Sequence, residues 1–263
     1  MKKVTLCLVL IAFIVTGTAY SQVSTGKYKK IDYIHIDSDQ LSLFLDKAKE
    51  ALKETYQQLV DKGDLLGWEL YYVEYPGGER SKYNFISVAS ASKLTAFEKL
   101  FSPINSRGFI PSSDDQFSES QVERSLIKSE LWMVEDRLVD STAALPAEYL
   151  QIDYMSVTPG KSSDYLMLED ELAKPIHIKR MGKDIMAGWE VYSLISPGGK
   201  SYGYNYATGN FYNSLADLEY SFDDEVINQN MGSNANIPEL LNTVYSTRDH
   251  IKAELSRLVA HTD

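Results

Sequence analysis

A chain of 263 residues with 44% apolar and 24% charged residues can bury one large core or two small ones, and that balance excludes global disorder. A formal charge of −11 leaves no long-range attraction for nucleic acid or an anionic membrane surface. The one cysteine, Cys7, cannot build an intrachain disulfide or a thiolate metal cluster.

The N-terminus reads as a targeting signal. Lys2 and Lys3 precede an apolar run from Leu6 to Val15, which is too short to span a bilayer. Ala19-Tyr20-Ser21 puts small residues at the −3 and −1 positions of a cleavage site before Gln22. Residues 1–21 are therefore expected to be a signal peptide, with a retained N-terminal anchor as the alternative. Cleavage would remove Cys7 and, with Lys2 and Lys3, shift the formal charge from −11 to −13. The expected location is the periplasm or the extracellular space, with no membrane span left in the mature chain.

After a polar lead-in over 21–30, Ile31 to Ile36 predicts a strand rich in β-branched and aromatic residues. Leu41, Phe44, Leu45, Ala48, Leu52, Tyr56 and Leu59 then recur at three- and four-residue spacing, one apolar face of a helix, with Gly63 as a C-cap. Trp68 to Tyr75 and Lys82 to Val88 are two strand-like runs joined through Pro76-Gly77-Gly78, a hairpin signal. A short helix carries Leu94, Phe97, Leu100 and Phe101. Pro103 to Ser118 reads as a loop, and Ser118-x-x-Gln121 as a capping box opening a long amphipathic helix to about Asp140.

The same order then recurs. Ile152 to Val157 is a strand, and Pro159-Gly160-Lys161 leads into a helix that Lys174-Pro175 kinks or restarts. Trp189 to Ser196 and Tyr202 to Thr208 form a hairpin, Leu215 to Phe222 a short helix, and Pro238 opens a terminal helix. Residues 31–88 and 152–209 align without a gap at a spacing of 121, with 17 identities in 58 positions. Arg124, Lys128, Glu130 and Leu131 match Arg248, Lys252, Glu254 and Leu255 at a spacing of 124. The expectation is an internal duplication, with a first repeat over 22–145 and a second over 146–263. Two copies are too few for a solenoid, so a paired, pseudo-two-fold arrangement is expected.

Tyr154 to Val157, Pro159-Gly160-Lys161, a helix with Tyr165, Lys174-Pro175-Ile176-His177 and Gly188-Trp189 together carry a resemblance. The pattern resembles the dimeric α+β barrel superfamily, which includes NIPSNAP-like, EthD-like and antibiotic-biosynthesis-monooxygenase-like proteins. The resemblance implies an α+β fold of two tandem ferredoxin-like β-α-β-β-α units packed sheet to sheet as an intrachain pseudo-dimer. The chain departs from that pattern, with no clear fourth strand and with each unit followed by a long amphipathic helix. The superfamily includes cofactor-free oxygenases, haem-degrading enzymes and members without a known reaction, so the likeness does not carry an activity.

Strand alternation puts Glu69 and Tyr71 on one face and Trp68 on the other; Glu190, Tyr192 and Trp189 repeat this. The tryptophans are expected to pack helix on sheet. Glu69 and Glu190 either line a cavity, where burial would make them general-base candidates, or face solvent at an edge. His177 stands where the first copy has Tyr56, so a symmetric catalytic histidine is excluded; it is a lone catalytic candidate or a structural residue. Tyr33, Tyr154, Tyr71 and Tyr192 are candidate ligand-lining residues. Arg124 and Arg248 interrupt apolar stripes, and each either pairs with a carboxylate (Asp32 and Asp153, or Glu50 and Glu171) or binds an anionic ligand. No metal-ligand spacing or cofactor fingerprint is present, so none is expected. The leading expectation is an exported protein that binds a small molecule or a partner chain. The alternatives are a cofactor-free oxygenase- or isomerase-like enzyme acting on an aromatic or lipophilic ligand between the repeats, and an envelope interaction protein docking through its terminal helices.

Overall fold

Strand alternation, with large side chains on both faces, organises the molecule. The computed structural model describes residues 27–77, 82–100, 124–139, 146–220, 227–229 and 236–263. Eight strands, β1 (Tyr28–Ile36), β2 (Gly67–Tyr75), β3 (Phe85–Ala91), β4 (Arg124–Val139), β5 (Tyr149–Val157), β6 (Gly188–Ser196), β7 (Tyr206–Tyr212) and β8 (Arg248–His261), close into one barrel. Its order is β1-β3-β2-β8-β5-β7-β6-β4, and every pairing is antiparallel. Closure leaves no free sheet edge to pair with another chain. Among the described residues, no helix is long and apolar enough to cross a membrane. The expected signal peptide, the loop from Pro103 and the Ser118–Gln121 capping box lie outside the described residues.

The two halves repeat one register. Tyr33 pairs with Ile86 and Tyr154 with Ala207, Glu69 with Val88 and Glu190 with Gly209, each set 121 residues apart. The halves meet where β2 pairs with β8 and β4 with β6.

A long helix packs on the outside of each half. Residues 41–61 form the first, with Phe44, Ala48, Leu52 and Tyr56 buried against Trp68, Leu70 and Phe85. Residues 162–181 form the second, over Met155, Val191 and Trp189. Both contain a π-turn at the same relative place, Ala48–Leu52 and Glu169–Ala173, and the second helix resumes at Lys174 with Pro175 in its first turn. Tyr56 stacks on Trp68 at 4.6 Å, and His177 covers Trp189 at 5.1 Å. Both tryptophans are helix-on-sheet core residues, with no exposure.

The two expected terminal helices are instead strands. Arg124–Val139 is a 16-residue strand, and Arg248–His261 a 14-residue strand; only Ile237–Thr247 ahead of the latter is helical. They supply the fourth strand of each half. Their inward faces carry charge, Lys128 and Glu130 on β4 and Lys252 and Glu254 on β8, which removes the apolar alternation that marks a strand. Four of the apolar residues, Ile127, Leu131, Val134 and Leu138, fall at three- and four-residue spacing and imitate a helical stripe.

Those charges close one end of the barrel. Tyr33 donates to Glu130 at 2.6 Å and meets the Tyr154 hydroxyl at 2.9 Å. Glu130 also accepts from Lys128, from the Trp132 indole at 3.1 Å, and from Tyr202 and Tyr204 of the other half. Across the pseudo-two-fold, Glu254 accepts from Tyr83 at 2.7 Å and Lys252 at 2.8 Å. The Lys128 ammonium lies 3.9 Å above the Tyr33 ring and Lys252 4.4 Å above Tyr154. Burial alone would raise the Glu130 carboxyl, but Lys128 and the hydroxyls of Tyr202 and Tyr204 hold it below the ordinary carboxylate range. Glu130→Gln is expected to cost roughly 2–3 kcal/mol, less than a fully buried pair because Lys128 keeps some solvent. Urea melts check this, and an unchanged midpoint would show the plug to be dispensable.

Candidate functional site

The opposite end of the barrel holds a cleft of about 260 Å³. Its charged lining is Lys29 on β1, Glu69 on β2, Arg137 on β4, Glu190 on β6 and Asp263 after β8. Phe211, Val139, Pro146 and Leu66 give apolar walls, and Gly67 and Gly188 open the rim.

Glu190 is buried and neutralised. It sits across the ladder from Arg137, which donates to its Oε1, while Lys29 Nζ lies 2.6 Å from its Oε2 and the Tyr192 hydroxyl also donates to Oε2. Gly209 makes room for this arrangement, because a Cβ there would collide with the Tyr192 hydroxyl. Glu69, its equivalent in the first half, is half-buried and lies in the field of the same Lys29 and Arg137. Burial pushes the Glu69 carboxyl up, opposed by Lys29, Arg137 and His261. Burial likewise lowers Lys29 to about 8, with Glu69 opposing and Arg137 adding to the depression. Behind Glu69 on the same face of β2, the Tyr71 hydroxyl is fully buried without a hydrogen-bond partner. The arrangement offers a carboxyl and an amine whose charged forms are both disfavoured, facing a small partly apolar space. That is the electrostatic condition for proton transfer.

Four expected site residues thus converge here: Glu69 and Glu190 in the lining, Tyr71 and Tyr192 beneath them. The other five do not. Tyr33 and Tyr154 belong to the plug at the far end. His177 is on the helix side of the sheet, 3% exposed, with its pKa lowered to about 3 by burial and then by Arg180. Arg124 begins β4 beside Tyr56, and Arg248 begins β8 in the field of Tyr165 and Glu169. Of the carboxylates expected to hold them, Asp32 is bonded to Lys30 and Ser129, Asp153 to Asn210 and His250, and Glu50 and Glu171 are exposed.

Lys29 and Arg137 were not among the sequence candidates. Lys29 falls in the stretch read as a lead-in, but Lys29, Ile31 and Tyr33 continue one strand alternation, which was the available signal. Arg137 follows from β4 being a strand. Among the described residues, no three His, Cys, Asp or Glu side chains converge on a common metal position.

No protein-family model matches the chain, and no curated protein matches it by sequence. Solved structures do match by fold. A provisionally named monooxygenase from Fusobacterium nucleatum superimposes with a TM-score of 0.54 at 9% identity, covering 90% of this chain and 93% of that one. Another from Lactobacillus acidophilus gives 0.49 at 11% identity over 90% and 96%. A haem-binding protein from Thermus thermophilus gives 0.48 at 12% identity over 89% and 91%. The first of these shows that the chain shares a ferredoxin-like α+β fold. Among the described residues that line the cleft, none is a His, Cys, Met or Tyr that could ligate iron.

The buried neutral His177 sets an acid limit on stability. Its folded pKa lies below its unfolded value, so stability is complete above about 6.5 and is lost as pH falls toward 3. In acid titrations followed by urea melts, His177→Phe is expected to flatten this window. An unaltered pH profile would show that His177 is protonated in the folded state.

Proposed function

We propose that the protein binds a small molecule, one ring or a short chain in size, in the cleft at the open end of the barrel. The observation that carries this is the asymmetry of two equivalent carboxylates. Glu190 is saturated by Lys29, Arg137 and Tyr192, whereas Glu69 faces the cleft with a raised pKa. Apolar walls with few polar groups are the usual make-up of such sites. We read the two halves as a tandem duplication of ferredoxin-like units, with the 121-residue register in support.

A second reading, cofactor-free acid–base catalysis on the bound molecule, draws support from Glu69 as the proton-transfer group. Docking of an envelope partner through terminal helices is left with Ile237–Thr247 alone among the described residues, because Arg124–Val139 and Arg248–His261 are staves of the barrel.

A ligand at a hundred times its Kd stabilises a protein by about 2.7 kcal/mol, or roughly 5–10 °C in Tm for a chain of this size. A panel of small aromatic and aliphatic acids, alcohols and carbonyls, read by thermal shift, is expected to contain binders. Glu69→Gln and Tyr71→Phe should weaken them without lowering the unliganded Tm. No shift across the panel, with a bare mass for protein isolated from its host, would sink the binding proposal.

Export is proposed on the charged, apolar and small-residue order of residues 1–21. N-terminal analysis of protein from its host is expected to begin at Gln22; a chain retaining Met1 would refute it.

A further inference from the structure

Lys29 enters the cleft from β1 almost fully buried, 4% exposed, yet forms part of the lining. We propose that Lys29 is a carbonyl-capturing nucleophile, and that the cleft takes a small aldehyde or ketone whose carbonyl carbon condenses with Lys29 Nζ to an imine. This rests on the reading of the cleft as a small-molecule site and names the chemical class it accepts.

The obvious objection is that Nζ lies 2.6 Å from Glu190, an ion pair that ties up the ammonium. Glu190, however, keeps the Arg137 guanidinium and the Tyr192 hydroxyl when Lys29 gives up its proton, so losing that proton does not orphan a buried carboxylate. Two circumstances activate a lysine amine: removal from water, and a neighbouring cation. Lys29 has both, in its burial and in Arg137, and burial holds its pKa lowered to about 8 even though Glu69 pulls it up by more than Arg137 pulls it down. The cleft's other charged groups are Glu69 and Asp263; Ser90 lies beside Lys29 on β3, and the rings of Tyr192 and Phe211 at 5.5 and 5.6 Å.

Glu69 completes the chemistry. The neutral Nζ attacks the carbonyl carbon; a C–N bond forms and the carbonyl π pair moves to oxygen, which takes a proton from nitrogen. Glu69, held toward its protonated form by burial, donates to that hydroxyl, and the C–O bond breaks to release water. The nitrogen lone pair closes the C=N bond. The product is a protonated imine and a Glu69 carboxylate, formed from a neutral amine and a neutral acid, with no redox change. The imine nitrogen carries the same single charge as the ammonium and stays opposite Glu190.

The test uses the full chain with benzaldehyde as probe and cyanoborohydride to reduce the imine to a stable benzylamine. Peptide mapping is expected to place the benzyl group on Lys29 about tenfold faster than on surface lysines, with a rate that rises as the amine loses its proton and falls again as Glu69 ionises. Lys29→Arg, which keeps a cation against Glu190, should abolish that label. Glu69→Gln retains the amine and should slow labelling by about tenfold or more, so the inference stays testable even where the Arg variant misfolds. Equal labelling of surface lysines and Lys29, or unchanged labelling in Glu69→Gln, overturns it. Thermal stabilisation by benzyl alcohol without trapping of benzaldehyde at Lys29 would defeat the imine and leave the binding site standing. Absence of both would defeat the two together.

Discussion

Two carboxylates inside a closed barrel, Glu130 and Glu254, impose the arrangement of everything around them. A buried carboxylate is tolerated only when its oxygens are filled by donors. Glu130 belongs to the first half but takes hydrogen bonds from Tyr202 and Tyr204 of the second, while Glu254 of the second half takes one from Tyr83 of the first. The two sets meet at the Tyr33–Tyr154 hydroxyl contact. Each carboxylate draws donors from both halves, Lys128 or Lys252 from its own and tyrosines from the other. The halves are thereby held in one register, and a slip of one residue would strand both carboxylates and turn each strand inside out.

That end of the barrel is symmetric, and the other end is not. Tyr33 and Tyr154, Tyr83 and Tyr204, Lys128 and Lys252, and Glu130 and Glu254 are identical pairs, and together they make a polar plug. At the cleft, Glu69 and Glu190 and Tyr71 and Tyr192 are again identical pairs, but their neighbours differ. Lys29 stands where the second half has Leu150, Arg137 where it has His261, and Ser90 where it has Phe211. Lys29 and Arg137 both bond Glu190 directly, and Glu69 faces the cleft within their field. The cleft arises because equivalent backbones carry unequal charges, so one carboxylate became scaffold and the other remained available.

The helices, hairpins and Trp68 and Trp189 were legible because each obeys a local period: 3.6 for the helices over 41–61 and 162–181, and two for β2 and β6. Glu69, Tyr71, Glu190 and Tyr192 were legible as a face for the same reason. β4 and β8 were not. Their inward residues are charged, so the alternation that marks a half-buried strand was written in Lys-x-Glu instead of apolar side chains. His177 looked chemical because it is a histidine, and only the packing reveals it as the plate over Trp189 that Tyr56 provides over Trp68.

Duplicated spacing, strand and helix order and the face each side chain takes are properties of the chain read locally, since they depend on backbone period and turn chemistry. Which carboxylate is neutralised is not such a property. Lys29 and Glu190 are 161 positions apart in the chain and come within 2.6 Å only because the barrel closes. Closure brings a strand of one half against a strand of the other, and it alone sets the dielectric and the charged neighbours on which the pKa values of Lys29 and Glu69 depend.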